Sequence, residues 1–316
     1  DPTNTNIMYM GTGDRDAGDA PGLGVFKSTD GGLSWTQSNS GMGNRTVGMM
    51  AMHPTNPSIM WAATSGGVYK SIDAGASWAL SLSGPGNYKD LRLKPGDPNI
   101  VYASGSGEFY RSSDGGVTFS QIQAGIPNSQ RLVIGVTPDD PNYVYCLLSQ
   151  SSSFYGLYLS TDAGLNFTLQ SDTPNVLGYQ PDGSDNGGQG WYDLCITVDP
   201  NDKQTVYTGG VNIWKSTNSG VNWSIVSHWY GAQGIPTVHA DQHSLDFSPV
   251  TGGLYSGNDG GIHRTYDGGN SWTILSNGLR VAQVYKIGVS AQTKNLVING
   301  YQDNGTAVYD AGTWRK

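Results

Sequence analysis

One octet returns six times along the chain: STDGGLSW from Ser28, SIDAGASW from Ser71, SSDGGVTF from Ser112, STDAGLNF from Ser160, STNSGVNW from Ser216 and TYDGGNSW from Thr265. The intervals are 43, 41, 48, 56 and 49 residues, the length of one four-stranded propeller blade. Each unit also repeats internally. An alternating segment ends in a Pro or polar turn (VGMMAMHP, DLRLKP, LVIGVTP, DLCITVDP, SLDFSP) and a second strand follows (IMWAAT, IVYASG, YVYCLL, TVYTGG, GLYSGN). A third strand then leads into the octet, and the octet's aromatic opens a fourth. Period-two alternation supports strand throughout. The expected fold is all-β: a seven-bladed propeller of four-stranded antiparallel blades, a single domain over 1–316, with the octets on one face. After Gly278 the runs VYKIGVS, LVINGYQ, TAVYD and TWRK supply the seventh blade, and YDAGTW resembles a shortened octet. The first unit begins at its second strand. Either the ring closes imperfectly or the natural protein continues beyond one end.

Within the octet the acidic residue can accept backbone N–H groups of its own turn, and the glycine two residues later supplies a positive φ. Asp30, Asp73, Asp114, Asp162 and Asp267 hold this position, and Asn218 replaces Asp in the fifth copy. Asn still accepts hydrogen bonds without charge, which fits a structural role. The terminal Trp or Phe is expected to insert between neighbouring blades.

These residues carry a resemblance. The pattern S-x-D-x-G-x-[ST]-W resembles the Asp box of the bacterial neuraminidase repeat. The chain looks like an Asp-box β-propeller of the kind found in sialidases, sortilin-type receptors and xyloglucan-cleaving endoglucanases. The segments YMGTGDRDAGDAPGLGVFKSTDGGLSW, GQGWYDLCITVDP, VHADQHSLDFSP, LYSGNDGGIHRTYDGGNSW and GYQDNGT are similar to repeat regions of large secreted bacterial surface proteins, often exported by the type IX route. The resemblance implies a secreted or cell-surface location. It constrains function little, because many functions share this scaffold.

Composition narrows the partners. A net charge of −8 with 17 basic residues argues against nucleic acid, whose phosphates need clustered Lys and Arg. No apolar run is long enough to span a bilayer, so no membrane insertion is expected. The opening DPTNTNIMYM reads as the approach to a strand rather than a targeting segment, and its first residue as a processing boundary. Cys146 and Cys195 lie in strand-like runs and read as two buried free thiols, with a disulfide as the alternative.

The loops opposite the octets are where function is expected. Trp191, Tyr192 and Asp193 in GQGWYD, Asn258 and Asp259 in GNDGG, and Gln302, Asp303 and Asn304 in YQDNGT form the expected binding set around the channel mouth. In VHADQH, His239, Asp241 and His243 occupy alternate positions. If a strand already starts there they point one way and suit zinc or another transition ion, the alternative being hydrogen bonding at the channel entrance. GDRDAGD places Asp14, Asp16 and Asp19 within six residues and suits calcium, with a solvated acidic loop as the alternative. No cofactor is required by either reading. The segment from Gln170 to Gln189 has no strand periodicity and is either functional or mobile.

Three function classes remain. A sialidase is excluded by eight scattered arginines and a single glutamate, Glu108. A glycoside hydrolase of the xyloglucanase type would draw its carboxylates from Asp259, Asp303 and Asp241, Asp259 lying in a loop that resembles TDIGG. That resemblance implies a cleft between two propellers, and only one is visible. A non-enzymatic module binding polysaccharide or extracellular protein is the leading reading, with Trp191, Tyr192, Trp229, Tyr230 and Tyr155 as surface aromatics. A structural unit of an extracellular assembly is the third.

Overall fold

Period-two alternation in each strand sends successive side chains to opposite neighbours, and a ring of radial sheets gives both faces something to pack against. The computed structural model describes residues 1–84, 86–279, 283–293, 296–310 and 312–315. Ala311, inside the shortened octet, and Lys316, at the end of the last expected strand, lie outside the described residues. The chain is a seven-bladed β-propeller.

The first blade comprises β1 (Met8–Gly11), β2 (Val25–Ser28) and β3 (Thr36–Gln37). The second is β4 (Val47–Met52), β5 (Met60–Thr64), β6 (Gly67–Ser71) and β7 (Ala79–Leu82). The third is β8 (Tyr88–Lys94), β9 (Asp97–Gly105), β10 (Glu108–Ser112) and β11 (Ser120–Gln121). The fourth is β12 (Arg131–Val136), β13 (Val144–Gln150), β14 (Ser153–Ser160) and β15 (Thr168–Ser171). The fifth is β16 (Cys195–Asp199), β17 (Asp202–Gly209), β18 (Ile213–Ser216) and β19 (Ser224–Ser227). The sixth is β20 (Gln242–Phe247), β21 (Leu254–Asn258), β22 (Gly261–Thr265) and β23 (Thr273–Ile274). The seventh is β24 (Val284–Val289), β25 (Leu296–Tyr301), β26 (Gly305–Asp310) and β27 (Thr313–Arg315). Among the described residues every sheet pairs its strands in sequence order, and only the first has three.

Packing follows the alternation. Met60 and Ala62 face the first blade beside Val25, Val47 and Trp78, whereas Trp61 and Ala63 face the third beside Leu91 and Val101. Val144, Cys146 and Leu148 likewise join Tyr102 and Phe109, while Tyr145 and Leu147 join Leu194 and Ile196. A fifth cluster, Cys195, Tyr207, Ile213, Leu245 and Leu254, joins the fifth and sixth blades. Both cysteines are free and buried in these layers. Among the described residues none of the five clusters includes the seventh blade, and β24 is exposed along its length.

The octets are closed turns. In the third, Ser112 Oγ donates to Asp114 Oδ1 (2.7 Å) and accepts from Gly116 N (2.8 Å), while Thr118 donates its amide to Asp114 Oδ1 (2.9 Å) and its hydroxyl to Oδ2 (2.6 Å). Asn218 keeps the Oδ1 half of this net, accepting from Ser216 Oγ and Asn222 N at 2.9 Å each. Hydroxyl donation from Ser34 and Ser271, reinforced by backbone N–H groups, holds Asp30 and Asp267 down to about 2. Gly116 is required: its φ is 73°, and a Cβ there would lie 2.3 Å from Trp61 Nε1. The octet aromatics reach the preceding blade, Trp78 Nε1 donating to Ser38 O (2.8 Å), Trp223 Nε1 to Ser171 Oγ (2.9 Å) and Trp272 Nε1 to Val226 O (3.2 Å).

Candidate functional site at the channel mouth

The octet joins the last two strands of each blade. The turns between the middle two strands of a full blade, and the crossings from one blade to the next, therefore gather at the other end. His239, in the crossing to β20, donates Nε2 to the carbonyl of Asp303 in the β25–β26 turn (2.8 Å). Asn304 Nδ2 donates to the carbonyl of Asp259 in the β21–β22 turn (3.2 Å). Around these contacts lies a cavity of about 420 Å³ lined by Asp19, Tyr192, Asp259, Gln283, Tyr285, Gln302, Asp303 and Asn304. Five of the eight residues expected to bind are in this lining.

The aromatic side is built on Tyr192. Its ring lies 5.3 Å from that of Trp191, which is 48% exposed, and meets His243 edge-on at 4.9 Å. His243 Nε2 is 2.7 Å from Asp259 Oδ1, which orients the carboxylate at the cavity wall. Burial pushes the Tyr192 hydroxyl up to about 12, with Asp259, Asp241, Asp14 and Asp303 adding to the effect, so it is a neutral donor at ordinary pH.

Of the three expected binding residues outside the lining, Trp191 flanks Tyr192 and the other two lie elsewhere. Asp193 is fully buried, and its carboxyl faces that of Asp241, with which it shares a hydrogen bond. Burial pushes it up to about 9, the neighbouring Asp241 pushes the same way, and the Arg131 charge opposes them. Asp241 is raised too, by burial and then by Asp259. Asn258 turns inward: Nδ2 donates to Ser256 Oγ (2.9 Å) and approaches His263 Nδ1 (3.1 Å), while Oδ1 caps Gly260 N (3.0 Å). It shapes the turn that presents Asp259.

Neither expected metal set assembles. Among the described residues no group of three or more His, Cys, Asp or Glu is placed to hold an ion. The alternation expected for VHADQH fails because β20 starts only at Gln242 and Asp241 sits at φ 61°. His239 turns to Asp303, His243 to Asp259, and Asp241 accepts from Gln189 Nε2 (3.0 Å). In GDRDAGD the three carboxylates separate by role. Asp14 caps the amides of Asp16, Ala17 and Asp19. Asp16 dives into the channel, where it meets Arg15 Nε (3.0 Å), Lys89 Nζ (3.4 Å) and Arg131 Nη2 (3.0 Å). Asp19 alone lines the cavity. Arg15 Nη1 also donates to Gly48 O (3.3 Å) and Lys89 O (3.4 Å), so the loop ties the first blade to the next three.

The segment 170–189 is anchored rather than free. Val176 and Leu177 are fully buried, and Asn175 Nδ2 donates to Asp185 O and Gly187 O. Trp229 and Tyr230 form a separate exposed pair, 4.8 Å apart, and Tyr155 is exposed away from the cavity. Sequence reasoning missed Tyr285, whose strand looked like any other, Gln283 just before that strand, and the plug formed by Arg15, Asp16, Lys89 and Arg131. The signal for the plug was Arg15, a cation amid three acids.

No protein-family model and no curated protein matches the chain. Solved structures do. A GH74 enzyme from Niastella koreensis superposes with a TM-score of 0.64 at 21% identity, over 98% of this chain and 51% of that one. An ancestral GH74 enzyme gives 0.52 at 18%, over 98% and 52%. YCF48 bound to D1 peptide gives 0.57 at 14%, over 97% and 90%. The propeller fold is thus shared with enzymes and with a peptide-bound protein. This chain spans about half the length of the GH74 structures.

Proposed function

We propose that the chain is a binding module, acting outside the cell, whose channel mouth holds a glycan. The observation that carries this is the pairing of the Trp191–Tyr192 rings with a polar cavity of carboxylates and amides at Asp19, Asp259, Gln302, Asp303 and Asn304. An aromatic face beside planar hydrogen-bonding groups is the chemistry a sugar ring requires. The octets fit the Asp-box reading, their acidic residues spent on turns far from this mouth. The likeness to GH74 propellers is compatible with a glycan, and YCF48 with its D1 peptide marks the alternative of a protein segment.

Hydrolysis is the second reading, favoured by the carboxylates gathered near the mouth. An acid catalyst must reach the glycosidic oxygen. Asp193, the carboxyl held protonated, is sealed from the cavity, whereas Asp259 is engaged by His243. That division favours binding without turnover. The test is a panel of soluble polysaccharides including xyloglucan, scored for both retention and reducing-end release. Retention lost in Trp191→Ala and Asp303→Ala without any release supports the module. Release abolished by Asp259→Ala or Asp303→Ala would establish the hydrolase instead.

A further inference from the structure

Between the third and fourth blades, at the same end as the mouth, lies a second cavity of about 240 Å³. Its walls are the start of β8 with Asn87 and Lys89, the β9–β10 turn over residues 104–107, and the approach to β12 over residues 130–132. It shares no lining residue with the mouth cavity, and the two differ in sign. Three acids, Asp19, Asp259 and Asp303, line the mouth. Among the described residues the second cavity has two cations, Lys89 and Arg131, in its lining and no acid at all. In a chain of net charge −8 that lining stands apart.

The charge there is not balanced from within. Arg15, Lys89 and Arg131 converge on one carboxylate, Asp16. Asp90 is taken by Arg92 Nε (3.1 Å) and by the amides of Leu91 (2.9 Å) and Ile134 (2.7 Å), and Asp193 holds its proton. Arg131, 4% exposed, spends Nη1 on the carbonyls of Trp191 and Tyr192 and Nη2 on Asp16, while its buried Nε has no hydrogen-bond partner among the described residues. A guanidinium left in this state is costly, and a negative charge on the cavity floor offsets part of that cost. Lys89 reaches Asp16 only at 3.4 Å, and its ammonium has N–H groups to spare. Burial and then the Arg131 charge hold that ammonium below its ordinary value, against the pull of Asp16. Gln130 gives Oε1 to the amide of Ser151 (2.7 Å), which leaves Nε2 to donate. Asn87 and Ser106 add an amide and a hydroxyl to the rim.

We propose that this cavity is a binding site for one small anionic group, a carboxylate or a sulfate. Lys89 is its charged donor, Gln130, Asn87 and Ser106 are its neutral donors, and Arg131 is the fixed charge in its wall. The volume suits a single such group, being smaller than the pockets that enclose drug-sized ligands. The group can arrive as a free ion or as part of an acidic sugar. The assignment rests on the lining and the charge balance, so it stands or falls independently of glycan retention at the mouth.

The probes are sodium glucuronate and sodium sulfate, titrated into the full chain at constant ionic strength, with glucose as the uncharged control. The backbone amide resonances of Ser106, Gly107 and Gln130 should shift saturably with at least one anion and stay in place with glucose. Saturation by glucuronate identifies an acidic sugar as an occupant, and saturation by sulfate alone identifies a tetrahedral ion. Lys89→Gln keeps a polar tip without the charge and should weaken binding about tenfold or more. Gln130→Ala, at an exposed position, should weaken it by a smaller factor, and Lys94→Gln, at the far end of β8, should leave it unchanged. Four results would overturn the proposal: no saturable shift with either anion at millimolar concentration, an equal shift with glucose, unchanged affinity in both Lys89→Gln and Gln130→Ala, or an equal loss in Lys94→Gln.

Discussion

Replacing Asp193 by Asn isolates the most perturbed carboxyl of the channel. Asp193 is pushed up to about 9 in the folded chain, whereas an unfolded aspartate titrates near 3.8. Between those values the native state holds a proton that the unfolded state has released. The group therefore favours folding fully below about pH 4, and this contribution is lost as pH rises towards 9. The slope is about 1.4 kcal/mol per pH unit, so about 4 kcal/mol separates pH 5 from pH 8. Because the side chain is fully buried, solvent screening takes little from that figure. Asn is neutral at every pH and nearly the same size. Urea unfolding followed by tryptophan fluorescence at pH 5, 6, 7 and 8 gives both profiles, and their difference cancels the histidines common to the two proteins. Asp193→Asn should gain on the natural chain steadily as pH rises. A difference that stays flat over this range would show that Asp193 is ionised in the fold and that the buried-carboxyl account is wrong.

Other outcomes follow from the same physics. Asp16→Ala should cost about 3–5 kcal/mol by stranding Arg131, whose side chain is 4% exposed, as calorimetry can measure. Trp61→Ala should cost a similar amount, about 3–5 kcal/mol of unfolding free energy from urea titration, by opening a hole between the second and third blades and losing the bond to Gly115 O. Asp114→Ala should cost about 1–2 kcal/mol, and Asp114→Asn markedly less, because Asn218 already holds the fifth turn through its Oδ1. Acid unfolding should set in as pH falls from about 4 to 2, the window between the unfolded value and the depressed values of Asp30 and Asp267, where far-ultraviolet circular dichroism would show strand loss.

The fold was legible because a propeller repeats its instructions. The octets marked one end of six of the seven blades, and each period-two run, such as Met60–Ala63 with its two faces, set the packing between blades. The absent inner strand of the first blade was also visible as a unit that starts late. The mouth was legible as a set of loops but not in the aim of its side chains. Asp193 and Tyr192 are adjacent, yet one is sealed and the other lines the cavity, because the turn at Gln189, which accepts the amides of both, sets their directions. The metal readings failed for a related reason: spacing specifies a ligand set only where backbone is regular, and Asp241 sits in a left-handed bend. The acidic loop hid a structural arginine pair, since which cation an aspartate meets depends on blades far away in sequence.

The most direct measurement is a hydrogen-exchange map of the whole chain with and without saturating xyloglucan oligosaccharide. Slowed exchange confined to 189–193, 258–261 and 301–305, with the six octet turns unchanged, is the predicted result. Protection centred on the octets, or spread equally over both ends of the propeller, would contradict a binding mouth opposite the octet turns.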